Sequence, residues 1–558
     1  MKKISLINFL FLIVFFLIIV KLFTLTIINS KNFKRNYLLT KKIIPSRGKI
    51  FDRNGDLLAN NELIYQLVIN PKEIVNQGKK DEYLQFLEKS LNIELASLEA
   101  NFNEKLQWLP IKKISLEEKI KLENKNNGKF NLIFNEENRR FYPEGSLSAH
   151  LMGFVGKNYQ GEDVGYFGIE GYYNKDLLGL PGIFETERNS LNFPIFIGNQ
   201  QYLSEKNGRD IYLTIDKGVQ RIIKEKLIDG IKRYQAKSGC VIVANPNNME
   251  VLGLVCLPDY NPNEYYLYDE AIFKNPVISE VYEPGSTFKP LIVAAALEEK
   301  KIKPFDQINE DGPYQISGYQ IKNSNNQYEG KISVTRVLEK SSNVGMVKIG
   351  EKLGRKKIYQ YLVKYGFNEV TDIDLQGEIS NNLKDFNQWY PIDFATVTFG
   401  QGIAITPIQM IGAFSSIING GLLYRPHVTK KIISNNKIFT LKPQIKGRTI
   451  SKKTSEIIKQ MLFSAVENSE MNWQKIKPSG YKIGGKSGTA QIPIAGHYDP
   501  HKTIASFIGF FPVSHPKIIC LVILQEPTTS IWGIETAAPL FFEVAKELII
   551  YYNIAPEE

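Results

Sequence analysis

Cysteine and histidine are scarce in this 558-residue chain, three and five residues respectively, and that scarcity removes several kinds of chemistry. Cys240, Cys256 and Cys520 each lie in an apolar, strand-like run. Their odd number and wide spacing argue against a disulfide framework and against a zinc site. The expected role of each is a small buried apolar side chain. With so few histidines and cysteines, no metal centre and no cofactor are expected. Charge of one sign is in excess but not organised: 69 Lys and Arg against 58 Asp and Glu leave +11, spread along the chain. No finger, basic helix or single-strand-binding signature accompanies the lysines, so nucleic acid is not an expected partner. The excess reads as a solvated basic surface that would favour an anionic membrane or wall polymer.

Long apolar runs are absent after the N-terminus, where one is present. From Ile4 to Ile28 the chain is nearly continuous Leu, Ile, Phe and Val. About 20 apolar residues cross a bilayer core as a helix, so this run suffices. It lacks a small-residue exit of the A-x-A kind, which favours an uncleaved anchor over a signal peptide. Lys21 would snorkel to the interface. The flanking Lys2 and Lys3 against Lys31, Lys34 and Arg35 do not set the orientation, because long C-terminal domains translocate largely regardless of such charges.

The remaining length is too great for one ordinary domain. We divide it into a short cytoplasmic tail and anchor over 1–28, a first region over 29–210 and a second over 211–558. In the first, Asn54-Gly55 marks a turn between extended segments. The stretch from Asp81 to Asn124 has helical periodicity interrupted at Pro110. This region holds no credible nucleophile and base, and reads as scaffold or partner surface. In the second, Cys240–Ala244 with Val251–Leu257, and Ile504–Phe511 with Lys517–Leu524, read as hairpins. Helices are expected over Val219–Leu227, after the capping box Thr406-Pro407-Ile408-Gln409, and from Ala537 to Tyr551. Strands at both ends with helices between predict an α+β domain, an antiparallel sheet covered by helices.

Three short runs supply the chemistry: Ser286-Thr287-Phe288-Lys289, Ser341-Ser342-Asn343 and Lys486-Ser487-Gly488-Thr489. Pro290 is tolerated only near a helix start, which places Ser286 at or beside a helix N-terminus. Lys289, three residues on, shares its face. That is a nucleophile with a base beside it. A lysine at its ordinary pKa is about 0.04% neutral at pH 7, so the base must be shifted by about three units. Burial and a second cation would do this, and Lys486 is the candidate. Ser341 can relay a proton toward a leaving amine, and the Asn343 amide can bond Lys289 and substrate backbone. Lys486, Ser487 and the Thr489 hydroxyl would hold a terminal carboxylate, with Gly488 letting a substrate peptide approach the strand. The backbone N–H groups of Ser286 and Thr489 would form an oxyanion hole. Read alone, each run is also an ordinary helix cap or a Gly-rich strand. The ordered trio is much harder to reach by accident.

The trio resembles the S-x-x-K, S-D-N and K-T-G set of the active-site serine penicillin-recognising enzymes, with Ser-Ser-Asn and Lys-Ser-Gly in the second and third places. The resemblance covers almost the whole chain. Arg47-Gly48-Lys49-Ile50-Phe51-Asp52-Arg53-Asn54-Gly55, Arg140-Phe141-Tyr142-Pro143 and Gly168-Ile169-Glu170 look like the pedestal (dimerisation-type) domain of class B penicillin-binding proteins. Glu283 to Pro290, Gly400-Gln401-Gly402 with Thr406-Pro407, and Gly485 to Gln491 look like their transpeptidase domain. The resemblance implies a peptidoglycan D,D-transpeptidase: Ser286 is acylated by a stem peptide with loss of D-Ala, and β-lactams acylate it stably. It also implies a single-pass protein of the cytoplasmic (inner) membrane with its catalytic domain outside, on the periplasmic side. Expected partners are stem peptides, β-lactams, the membrane, a membrane-bound glycan polymerase and division proteins. Glu283-Pro284 and the Gly-Gln-Gly stretch look more like the division-specific, septal subgroup than the elongation type. A D,D-carboxypeptidase, a serine β-lactamase and a β-lactam sensor share the trio and stay open at this point.

Overall fold

A computed structural model describes residues 2–28, 38–189, 195, 200–380, 382–434, 437–469, 471, 473, 476–494 and 497–557. It forms two compact units, one of residues 1–48 with 175–209 and one of 49–174 with 210–558. In the first unit the Lys2–Phe23 helix continues into a π-turn over Thr24–Ile28. Within it Phe9–Ile27 has a mean hydropathy of 2.8 and is long and apolar enough to cross a membrane. The same unit holds a three-stranded antiparallel sheet in which Leu38–Ile43 and Gln200–Leu203 flank Gly182–Glu187.

In the second unit, the N-terminal part is built on the long Leu57–Ile69 strand, paired with Leu109–Ile114 and Ile133–Phe141. Asn54-Gly55 makes the expected turn before it, Gly55 at φ +97°. The Asp81–Asn124 stretch departs from one broken helix. It forms helices over Lys80–Leu91, Leu95–Asn101 and Leu116–Asn126, with a strand at Pro110. Pro110 fits because that strand lies at the sheet edge, where the missing N–H breaks no inner ladder bond. Two of the quoted motifs meet here: Arg140 Nε donates to Glu170 Oε1 at 2.6 Å, with side chains 3% and 0% exposed.

The other part is a five-stranded antiparallel sheet. In order its strands are Val251–Leu257, Ser238–Ala244, Ile518–Gln525, His497–Phe511 and Gly484–Ile494. Both expected hairpins are present. Along Ile518–Gln525, the residues Ile518, Cys520, Val522 and Leu524 join the cluster around Phe541, while Ile519, Leu521 and Ile523 are also buried. Both faces of the strand are therefore covered, which its unbroken apolar run requires. The Lys217–Tyr234 and Ala537–Tyr551 helices supply that cluster. The Lys452–Glu467 helix packs on the Gly484–Ile494 strand. The Pro407–Ile418 helix begins with the Thr406–Gln409 capping box read from sequence.

A second expectation fails. Cys240 and Cys256 are disulfide-bonded, and only Cys520 is a free, buried thiol. Hairpin register makes them direct partners on adjacent strands, with Cα atoms 4.1 Å apart. Strand pairing thus brings together two cysteines whose spacing in sequence, read without a register, gave no hint of it.

Candidate active site

The first run forms a tight turn and then a helix. Gly285–Phe288 is a 3₁₀ turn that passes into the Lys289–Glu298 helix, with Pro290 in its first turn as expected. Every residue from Lys289 to Leu297 is buried, because the Asn343–Leu353, Pro407–Ile418 and Lys452–Glu467 helices pack around it. Ser286 sits at the mouth of this buried helix, half-buried and lining a cavity of about 600 Å³. The 3₁₀ turn is anchored by the Gly-Gln-Gly stretch: Gly285 N donates to Gly400 O at 2.9 Å, and Gly402 N donates to Glu283 Oε1 at 3.1 Å.

The second run reaches Lys289 from the start of another helix. Ser342 is the N-cap of Asn343–Leu353 and accepts from Gly345 N at 2.8 Å. Ser341, just before it, has φ +57°, a left-handed conformation that costs a non-glycine residue about 1–2 kcal/mol. The strain turns its carbonyl and its hydroxyl toward one amine. Lys289 Nζ lies 2.5 Å from Ser341 O, 3.1 Å from Ser341 Oγ and 2.8 Å from Asn343 Oδ1. A neutral amine has two N–H donors and one lone pair. The carbonyl and the amide oxygen take the two donors, leaving the lone pair for a hydroxyl proton.

Electrostatics favours that neutral form. Burial first, and the Lys486 charge second, hold the Lys289 pKa well below its ordinary value, while Glu310 works in the opposite direction. Lys486 is 5% exposed, and burial pulls its pKa down to about 8. Its Nζ donates to Ser487 O at 3.1 Å.

The third run lies along the Gly484–Ile494 strand, beside His497–Phe511. Gly488 lines the cavity and is also required by the packing around it. A Cβ there would stand 2.6 Å from Ser506 Oγ, 2.8 Å from Thr287 Cγ2 and 2.9 Å from Pro284 O, so the neighbouring strand and the Gly285–Phe288 turn occupy the space. Thr489 Oγ1 accepts from Gly533 N at 2.9 Å, which leaves the hydroxyl proton free to be donated into the cavity.

All eight residues singled out from sequence either line the cavity or, in the case of Lys289, bond to residues that do. Sequence reasoning missed its other walls, among them Lys322, Phe399, Trp473, Ile531, Trp532 and Glu535. It also missed the layer behind Ser342, formed by Glu310 and Asn323. The alternation of Gln307–Glu310 carries a signal for Glu310, since period two puts it on the buried face with Ile308. Among the described residues no group of three or more His, Cys, Asp or Glu could hold a metal ion.

Comparison with known proteins agrees with this geometry. Residues 239–546 match the penicillin binding protein transpeptidase domain, and residues 42–213 match the penicillin-binding protein dimerisation domain. Stage V sporulation protein D of Bacillus subtilis is 33% identical over 532 residues, covering 92% of this chain and 79% of the relative. The peptidoglycan D,D-transpeptidase FtsI of Buchnera aphidicola is 31% identical over 576 residues, covering 100% and 97%. Its counterpart in Escherichia coli is 28% identical, covering 93% and 86%. Penicillin-binding protein 2X from Streptococcus thermophilus shares the fold, with a TM-score of 0.76 at 23% identity, over 93% of this chain and 80% of that one. The chain belongs to the penicillin-binding proteins. Among them it is of the class B type, in which a dimerisation domain precedes a transpeptidase domain.

Proposed function

We propose that the protein is a serine acyl-enzyme D,D-transpeptidase that cross-links peptidoglycan stem peptides. The observation that carries this reading is that three distant runs line one cavity, with the buried Lys289 amine bonded to Ser341 and Asn343 beside it. Lys486, Ser487 and the Thr489 hydroxyl bind the terminal carboxylate of a D-Ala-D-Ala stem. Neutral Lys289 takes the Ser286 hydroxyl proton as Oγ attacks the penultimate D-Ala carbonyl. The oxyanion is held by the N–H groups of Ser286 and Thr489, the first at a helix start whose dipole favours negative charge. The proton passes from Lys289 through Ser341 to the departing D-Ala nitrogen, and the C–N bond breaks. An amine of a neighbouring strand then attacks the ester, loses its proton by the reverse route and leaves Ser286 free. Asn343 holds Lys289 and the donor backbone throughout. A β-lactam follows the first half of this path and remains attached.

The matched spans support a division of the chain into an anchor over 1–28, a pedestal over 29–210 and a transpeptidase domain over 211–558. The apolar N-terminal helix supports single-pass anchoring in the cytoplasmic membrane, with the catalytic domain on the periplasmic side where the substrate lies. The names of the FtsI relatives and the Glu283-Pro284 setting of the nucleophile support a septal role during division, beside a glycan polymerase.

The test is mass spectrometry of products made from lipid-linked peptidoglycan with a polymerase present. Cross-linked dimers and released D-Ala are expected, with labelled penicillin attached at Ser286 and none attached in Ser286→Ala. Trimmed stems alone would replace the reading with a carboxypeptidase, and hydrolysed lactam with a β-lactamase. Undiminished labelling of Ser286→Ala overturns it.

A further inference from the structure

Behind the second run lies a carboxylate that the mechanism above does not use. Glu310 ends the Gln307–Glu310 strand and is 2% exposed. Among the described residues it forms no ion pair, an unusual condition for a buried acid. Instead its oxygens collect neutral donors. Ser342 Oγ and Asn323 Nδ2 donate to Oε2, the second at 3.3 Å, and Glu329 N donates to Oε1 at 3.3 Å. Asn323 is itself fixed by donating to Gln327 O at 2.9 Å. Its Oδ1 accepts from Asn343 N at 2.9 Å and Val344 N at 3.2 Å. Glu310 is therefore one bond from Ser342 and two from Asn343, and Ser341 and Asn343 are the residues that hold Lys289.

We propose that Glu310 is a positioning residue for acyl transfer, fixing through Ser342 and Asn323 the strained turn that presents Ser341 and Asn343 to Lys289, and countering the Lys486 charge there. The proposal rests on the acyl-enzyme reading above. A purely structural cap would not need an acid, since a neutral side chain can receive the Ser342 hydroxyl. Here all three groups facing the carboxylate donate. An amide in its place would set its own N–H₂ against the Glu329 N–H or the Asn323 N–H₂. The charge also reaches Lys289. The charged groups facing that amine are Lys486, from the Gly484–Ile494 strand, and Glu310, from the Gln307–Glu310 strand. Glu329, next to Glu310, is already paired with Arg336 and Lys340, and Glu339 with Arg336. Burial and the Lys486 charge push Lys289 toward neutrality, and the Glu310 charge opposes them. Glu310 limits that shift while staying out of the substrate cavity.

The test uses the full chain and a labelled penicillin, with the second-order acylation constant measured across pH. In Glu310→Gln, loss of the negative charge lowers the proton affinity of Lys289. The acid limb of the profile should then move to lower pH by about half a unit or more. In Asn323→Ala the charge stays but the link to Asn343 is cut, so the constant should fall about tenfold to a hundredfold with the limb in place. A limb in Glu310→Gln that superimposes on wild type overturns the proposal, and so does wild-type acylation in Asn323→Ala. Should Glu310→Gln yield no folded protein by thermal melting, Asn323→Ala decides. Wild-type protein that takes up no label would instead sink the acyl-enzyme reading itself, so the two failures are distinguishable.

Discussion

Lys289 Nζ donates to Asn343 Oδ1 at 2.8 Å across a sequence separation of 54 residues. The bond joins the first turn of one buried helix to the first turn of another, so neither side chain can move without disturbing both. Replacement of Lys289 by Arg puts a permanent cation where the proposed neutral base stands, because a guanidinium does not deprotonate near neutral pH. Acylation of Lys289→Arg by a fluorescent penicillin should fall about 10²–10⁴-fold with the circular dichroism of the fold retained. An unchanged rate would remove Lys289 from the mechanism.

The pH dependence should have two limbs. The rate rises as pH passes upward through the depressed pKa of Lys289, whose neutral form is the base. It falls above about 8, where Lys486 loses the charge that binds the carboxylate. Rates for the free enzyme report both values. A profile that stays level from pH 8 upward would argue against Lys486 as the carboxylate clamp.

Stability should show the same group. The unfolded chain binds a proton on Lys289 up to its ordinary pKa of 10.5, whereas the folded chain releases it at lower pH. Between those two values the unfolded state holds more protons, so unfolding free energy rises with pH. Urea denaturation at several pH values should show a shallower rise in Lys289→Met than in wild type. Equal slopes would indicate that Lys289 stays charged in the fold.

Gly533 seals the loop that follows the Ile518–Gln525 strand against the catalytic strand. A Cβ there would stand 2.1 Å from Gly488 O and 2.7 Å from Ser506 O, both backbone atoms. Gly533→Ala must move the loop and release Thr489 Oγ1. We expect a loss of about 1–3 kcal/mol in stability and at least about a tenfold loss of acylation. Wild-type kinetics in this variant would show that the Thr489 hydroxyl is not oriented from behind.

The buried Arg140–Glu170 pair ties two distant segments of the N-terminal part together. Glu170→Ala leaves a guanidinium buried without its partner, a change that costs about 3–5 kcal/mol. Thermal denaturation should show the loss, while folded protein at low temperature should still take up penicillin at Ser286. A melting point equal to wild type would mean that Arg140 finds water or another acceptor.

Local signals were legible in this chain wherever a backbone constraint has a residue signature. Pro290 placed Ser286 at a helix start, Thr406-Pro407 opened a helix, and the paired apolar runs folded as hairpins. The Pro110 segment was misread because propensity does not distinguish a helix break from a short edge strand. The disulfide was missed because strand register, which sets Cys240 opposite Cys256, is not written in their spacing.

The amino-acid order by itself determined which groups could react: an alcohol beside an amine at a helix start, a second lysine in a glycine-bearing strand, and a membrane-length apolar segment. These follow from covalent neighbours and from the period of the backbone. Only the folded chain decided what surrounds them. The seclusion of Lys289, the left-handed turn at Ser341, the carboxylate of Glu310 behind it and the contact of Gly533 with the catalytic strand all arise between segments far apart in sequence. Burial and electrostatic coupling depend on distances through space, and those exist only once the helices have closed over the sheet.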